Sequence, residues 1–578
     1  MHFRISLSGA LRWRTALALV LLGPALSACA QSTPAAPPPL ASEPTIVQVQ
    51  SPLGAYLAST SAATAGDYAA AADLSTQALA DDPENLDLMR RAFVFSTGEG
   101  RMEQAVQLAR RLTARDPSFP LAQIVLAFED VGSGHREDAE KRIAALPRSG
   151  VNNLLLPVVG AWIAASQNKW EAAEQSLRPL ADISPLAGLF DYHTALIAAR
   201  RGDKAGLEAA IESLLKADET PPLRIVELAG AFYENTQRPE KAKALYDVYQ
   251  ARNPDTLYLT NAYRRIADKA PPPRLALTDK EGLAEALFDV ATLIQRERQG
   301  NETALIYTRI VLSLRPDFPA AQMLLAEILE TQNREAAAIK TYQSIGPDSP
   351  FRWVARLRVA GNRDALGDTE GALADLKQMA LERPERDDAL GYAGDLLRQH
   401  SRFAEAVILY DSAFGRIPKI ERRHASLLFN RAIALERSGQ VDRAIEDLQR
   451  ALSLEPDQPY ILNYLGYTWV DQGKNLEQGR RMLEKAVELR PRDGAIVDSL
   501  GWAFYRLGDL PRAVRWLERA VELKPGDPTI NDHLGDAYWR TGRKREAGFQ
   551  WERSLKLNPE PKDREQTERK LKEGLPTP

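Results

Sequence analysis

Cysteine is nearly missing from this chain: 578 residues contain one, Cys29, so no disulfide can form within it. Charge of one sign is missing too, with 74 Lys and Arg against 78 Asp and Glu and a formal net charge of -4. A general nucleic-acid binder would carry a basic excess or a basic stripe, so that class is set aside. Aromatic residues are only 7% of the chain, and the abundant Ala, Leu, Arg and Glu favour helix. Catalytic signatures are also lacking. The six histidines, His2, His135, His193, His400, His424 and His533, form no His-Glu-x-x-His zinc pattern. There is no second cysteine for a thiolate site, no Gly-x-Ser-x-Gly elbow and no Walker-type phosphate loop. No cofactor or metal is therefore expected, and catalysis survives only as a hydrolase concealed in the N-terminal half. Gly132-Ser133-Gly134-His135 reads as a turn between helices; Asp532, His533 and Asp536 lie on one helix with the two carboxylates on a common face, a solvated or partner-facing acidic patch or, as the rarer alternative, a cation site.

What is present begins with an address. Arg4, Arg12 and Arg14 precede an apolar run from about Ala16 to Leu26, too short to span a bilayer comfortably and shaped like an export signal. It ends in Leu26-Ser27-Ala28-Cys29, which resembles the lipobox of bacterial lipoproteins. The resemblance implies a signal peptide over residues 1–28, cleavage before Cys29, and lipid on that cysteine. An ordinary signal peptide with an incidental cysteine is the plainer alternative. Ala30 follows, where Asp is the usual inner-membrane retention signal, so the resemblance implies a lipid anchor in the outer membrane of a Gram-negative bacterium, facing the periplasm. Residues 29–50 include Pro34, Pro37, Pro38, Pro39 and Pro44 and read as a tether. Extended at about 3.1 Å per residue, it would reach up to about 60 Å.

The remainder is periodic, as a chain too long for one growing core should be. Pro456, Pro491, Pro525 and Pro559 each close a unit of 34 or 35 residues. Ala432, Gly466, Gly501 and Gly535 share one position; Gly439, Gly473, Gly508 and Gly542 share another, seven residues on. Ala444, Gly479, Ala513 and Ala547 hold a third, and Leu448, Leu483, Leu517 and Trp551 a fourth. Small residues in both helices allow close approach, the glycine between them ends the first, and the proline stops the second. Upstream, Ala304, Ala338, Ala372 and Ala406 stand twelve residues before Pro316, Pro350, Pro384 and Pro418, and Ala71, Ala105, Ala139, Ala173 and Ala242 carry the period towards the start. The offsets are those of the tetratricopeptide repeat, which the chain resembles. The expectation is an all-α superhelical solenoid of about fourteen helix pairs. A degenerate array would cover 51–267, a Pro-rich interruption 268–280 (two arms or a surface loop), a regular array 281–560, and a charged, solvent-facing capping helix and tail 561–578.

In the repeat family the first helix of each pair lines a concave groove. Carried over, the groove would display Asn463, Tyr467, Asp498, Trp502, Tyr505, Arg506, Asp532, Asp536, Trp539 and Arg540. Aromatics beside Arg and Asp have hot-spot composition, although Trp502 and Trp539 could equally pack between repeats. Trp469, Phe504, Trp516, Tyr538 and Trp551 fall at packing positions. From Leu462-Asn463-Tyr464-Leu465-Gly466-Tyr467 through Asp498-Ser499-Leu500-Gly501-Trp502 to Leu534-Gly535, the chain resembles proteobacterial tetratricopeptide lipoproteins. Relatives by architecture are adaptors that bring periplasmic carboxyl-terminal processing proteases to substrates, cell-wall hydrolases among them. The resemblance thus implies a non-catalytic, protein-binding scaffold. Its alternative within the binding class is assembly of outer-membrane proteins, pilus secretins or polysaccharide exporters.

Overall fold

The structure is a computed structural model that describes residues 51–576 other than 185, 219 and 298–300. Cys29, the signal and the tether lie outside the described residues. Among the described residues there are thirty α-helices and no strand. Twenty-eight succeed one another in chain order as fourteen pairs, from Pro52–Thr64 with Tyr68–Asp81 to Pro528–Arg540 with Lys544–Lys556; Thr260–Ala267 and Pro561–Glu573 stand alone. The pair absent from the sequence pattern is Ala187–Arg201 with Lys204–Ala217, where Leu207 takes the position that alanine marks elsewhere.

Each repeat mark has its expected physical role. Gly439, Gly473, Gly508 and Gly542 all take positive φ, from +69° to +83°, at the turn inside the pair. A methyl group on Gly501 would lie 2.7 Å from Leu517, and one on Gly535 would lie 2.5 Å from Trp551, so the paired helices touch at those glycines. Asp493 and Asp527 accept hydrogen bonds from the first free amides of helices Gly494–Arg506 and Pro528–Arg540.

The chain divides into two compact units, with the boundary in the chain between Asp368 and Thr369. In the first unit the helix Asp279–Gln295 packs against Pro120–Gly132, Asn152–Ser166 and Ala187–Arg201, while Asn301–Leu314 packs against Leu86–Glu99. The four helices packed against, Leu86–Glu99, Pro120–Gly132, Asn152–Ser166 and Ala187–Arg201, are the first helices of successive pairs, so the array wraps around its own later segment. Gly282 permits this, since a methyl group there would lie 2.0 Å from the buried ring of Trp162. Polar contacts fix the register. Asp279 pairs with Arg136 at 2.9 Å and with Arg200, and His193 faces Asp289 at 3.1 Å while accepting from Trp162 Nε1 at 3.0 Å. Arg309 donates to the Gly98 carbonyl at 3.1 Å, and Arg334 pairs with Glu99 at 2.6 Å. The Pro-rich stretch is the lead into this arrangement. Its Pro273 carbonyl accepts from Asn235, and the Leu277 carbonyl just beyond it accepts from Arg200.

Candidate functional site

In the second unit the helices Pro459–Asp471, Gly494–Arg506 and Pro528–Arg540 carry all ten candidate groove residues. The register follows from burial of the opposite faces: Leu465, Trp469, Leu500, Phe504, Leu534 and Tyr538 are in the core, as their positions predict. Trp551 is also buried, and Trp516 is half-buried. Trp502 and Trp539 are half-buried, neither free nor fully in the core.

Amid these candidate positions lies a stack of rings. The Trp502 ring lies 4.7 Å from Tyr505 and 4.1 Å from His533 on the next first helix, nearly parallel to both. Asp498 approaches His533 Nδ1 at 2.9 Å. Burial, the largest single cause, pulls the imidazole pKa down, but the charge and hydrogen bond of Asp498, with Asp532 and Asp536 adding to them, together leave His533 above its usual value. Arg506 donates to the Asp471 carbonyl at 2.7 Å, and burial raises the Tyr467 hydroxyl, with Asp471, Asp498 and Asp563 adding to the shift. Asn463 Oδ1 and Trp502 Nε1 are buried without a hydrogen-bond partner.

The candidates of the last pair are contacted by the chain itself. The helix Pro561–Glu573 was expected to face solvent, but Thr567 is buried and donates to Asp532 at 2.9 Å. Lys570 Nζ bridges Asp532 at 2.5 Å and Asp536 at 2.8 Å, so the cation held by this carboxylate pair is internal. Asp536 also accepts from Trp551 Nε1 at 3.0 Å. Burial raises its pKa, Asp532 adds to this, and Lys570 opposes it. Beyond the helix, Gly574 lies against Trp539, and the Pro576 carbonyl accepts from Arg540 at 2.7 Å. Glu560 pairs with Arg437 at 3.1 Å, which anchors the other end of the segment. Four of the ten candidates, Asp532, Asp536, Trp539 and Arg540, therefore contact the chain's own C-terminal segment. Sequence reasoning missed Thr567 and Lys570 because the lone helix carries no repeat marks. The i,i+3 spacing of Thr567 and Lys570 on one helical face is the signal that could have found them.

Among the described residues no group of three or more His, Cys, Asp or Glu side chains is placed to hold a metal, and no helix is long and apolar enough to cross a membrane. Models of the tetratricopeptide repeat match residues 62–127, 296–350 and 366–557. A TPR repeat-containing protein of Pseudomonas aeruginosa is 29% identical over 195 residues, 34% of this chain and 32% of that protein. A DnaJ homolog subfamily C member 7 homolog of Dictyostelium discoideum is 23% identical over 325 residues, 52% of this chain and 57% of its own length. The matches thus span between about a third and just over half of those relatives. Among solved structures, the APC/C hetero-tetramer Cut9–Hcn1 aligns over 91% of this chain and 97% of its own, at 15% identity and TM-score 0.39. A tetratricopeptide repeat protein of Parabacteroides merdae aligns over 43% and 96%, at 12% identity and TM-score 0.35. Repeats of this type present surfaces for protein partners, not built-in chemistry. By its stacked helix pairs and by the repeat models that match along it, the chain is a tetratricopeptide-repeat protein.

Proposed function

We propose that the protein is a non-catalytic scaffold that holds partner proteins in the concave face of its last repeats. The observation that carries this reading is the Trp502–Tyr505–His533 stack, with Asn463 Oδ1 and Trp502 Nε1 left unpaired beside it. Stacked aromatics flanked by arginine and carboxylate bind extended chains and helices well. The chain's own helix already lies against Asp532 and Asp536, and a partner with a similar face would compete with it. At the finer level, the scaffold is anchored by lipid on Cys29 at the periplasmic face of the outer membrane. There it brings a carboxyl-terminal processing protease to its substrates, cell-wall hydrolases among them. The Leu26-Ser27-Ala28-Cys29 pattern, the prolines of the tether and the resemblance of the last quarter to lipoprotein adaptors support this. A tethered scaffold makes a weak protease–substrate encounter effectively intramolecular.

The test is capture from detergent-solubilised envelopes of the native host. The baits are the intact protein, a Trp502→Ala/Tyr505→Ala variant, and a chain ending at Asn558. The adaptor reading expects a processing protease with the intact bait, loss with the double variant, and greater capture with the shortened chain. Recovery of assembly-machine components instead would replace the protease with that alternative partner. Equal capture by intact and double-variant baits would move the binding surface elsewhere. Palmitate labelling that persists in Cys29→Ser would remove the lipid anchor.

A further inference from the structure

The first compact unit contains an open cavity of about 410 Å³ that no repeat mark accounts for. Its walls come from helices Leu223–Asn235, Pro239–Arg252 and Thr260–Ala267, from the Pro-rich lead at Pro273–Leu277, and from Phe351. Arg224, Glu227, Leu228 and Ala231 line it at the spacing of one helical face. Tyr246, Tyr249 and Tyr258 supply aromatic wall.

The charges in the cavity balance except at one point. Arg265 pairs with Glu234 at 3.0 Å, Arg274 with Glu281 at 2.6 Å and Arg315 with Glu285 at 2.9 Å. Arg224 pairs with Glu285 and Asp289 and donates to Tyr192 Oη at 3.0 Å. These guanidiniums therefore meet an equal number of carboxylates. Glu227 is one carboxylate more, and it makes no hydrogen bond or ion pair with any described residue. Its side chain is open to the cavity, yet walled in by protein. That burial pushes its carboxyl up to about 7, against the pull of Arg224, Arg265 and Arg315. The hydroxyls of Tyr249 and Tyr258 likewise make no hydrogen bond with any described residue. Facing the open cavity without a donor of its own, this carboxylate stands among aromatic faces that attract cations.

We infer that this cavity is a second binding site, for a lysine or arginine side chain presented by a segment of a partner polypeptide. The ammonium or guanidinium meets Glu227, its stem lies along Tyr249 and Tyr258, and the flanking peptide fills the remaining space. At about 410 Å³ the cavity is larger than one side chain needs, and it lies in the range of ligand sites. The site is independent of the C-terminal groove, so either can fail alone.

The probes are four fluorescein-labelled Gly/Ser/Tyr octapeptides that differ only in a central Lys, Arg, norleucine or Glu. Anisotropy is read against the full chain at about pH 8, where Glu227 is ionised. The Lys or Arg peptide binds about tenfold or more tightly than norleucine, as a charged hydrogen bond requires, and Glu227→Gln abolishes that difference while its melting temperature holds or rises. Preference for the Glu peptide would assign the arginines as an anion site and overturn the inference. So would equal affinity for norleucine, no binding by any probe at about 1 mM, or an unchanged preference in Glu227→Gln. Free butylamine competing as well as the Lys peptide would overturn the polypeptide as source.

Discussion

Trp502 is enclosed by Tyr505 on its own helix and His533 on the next, and only the second of these rings can acquire a charge near neutral pH. Protonated, His533 gains both the Asp498 carboxylate and the face of the indole. Because its folded-state pKa is raised, the folded protein binds the proton more tightly than the unfolded chain does. The resulting stability is fully present below about pH 6.5, the unfolded value, and is lost as pH rises through the folded value. The melting temperature of the C-terminal unit should therefore fall as pH rises above about 6.5, and His533→Gln should flatten that profile. A profile that rises with pH, or the same slope in the variant, would break the assignment. The repeat register made position 502 legible as a candidate groove position on a first helix. The stack was not, because it depends on the rotamer of a histidine that the register placed only beside two acids.

Among the elements, two lie where no period places them. The helix Asp279–Gln295 lies within the N-terminal array, and Pro561–Glu573 lies along the last repeats. Both depend on single residues without repeat character, Gly282 in the first and Lys570 in the second. For Gly282→Ala, helix propensity alone would favour the variant by about 1 kcal/mol. The added methyl group meets Trp162, which is buried and hydrogen-bonded to His193 and so cannot yield easily. Overpacking of that kind costs up to about 3 kcal/mol, so a net loss near 2 kcal/mol is expected in urea unfolding. A neutral or stabilising result would mean the helix shifts away from Trp162 at little cost. The repeat units themselves were readable because small residues and prolines recur at one interval. These two docking events were not, since Gly282 and Trp162 lie 120 residues apart in a sequence with no mark linking them. Glu227 was invisible for a similar reason: a missing partner is a property of the folded surroundings.

At the level of the whole molecule, stability in a stack of repeats is a sum of neighbouring terms, and each compact unit should answer for its own residues. Leu517 is fully buried beneath Gly501. Leu517→Ala should cost about 2–5 kcal/mol. Region-resolved hydrogen exchange should show faster exchange from Thr369 onward and unchanged protection before Asp368. Acceleration throughout would mean that the units unfold together. The sequence marks 268–280 as an interruption, between two arms or as a surface loop; the compact units part at 368/369, and the segment after the prolines packs into the first array.

That capture also sets an order of events. During synthesis the pairs up to Ala217 emerge before the helix that fills them, which begins only at Asp279. At roughly 5–20 residues per second the intervening stretch takes roughly 3–12 s to make. For that interval the walls around Trp162 and Leu155 face outward as uncovered apolar surface. The nascent chain thus passes through a stage in which its first half is a receptor awaiting its own second half, and any chaperone that serves this protein would be needed then.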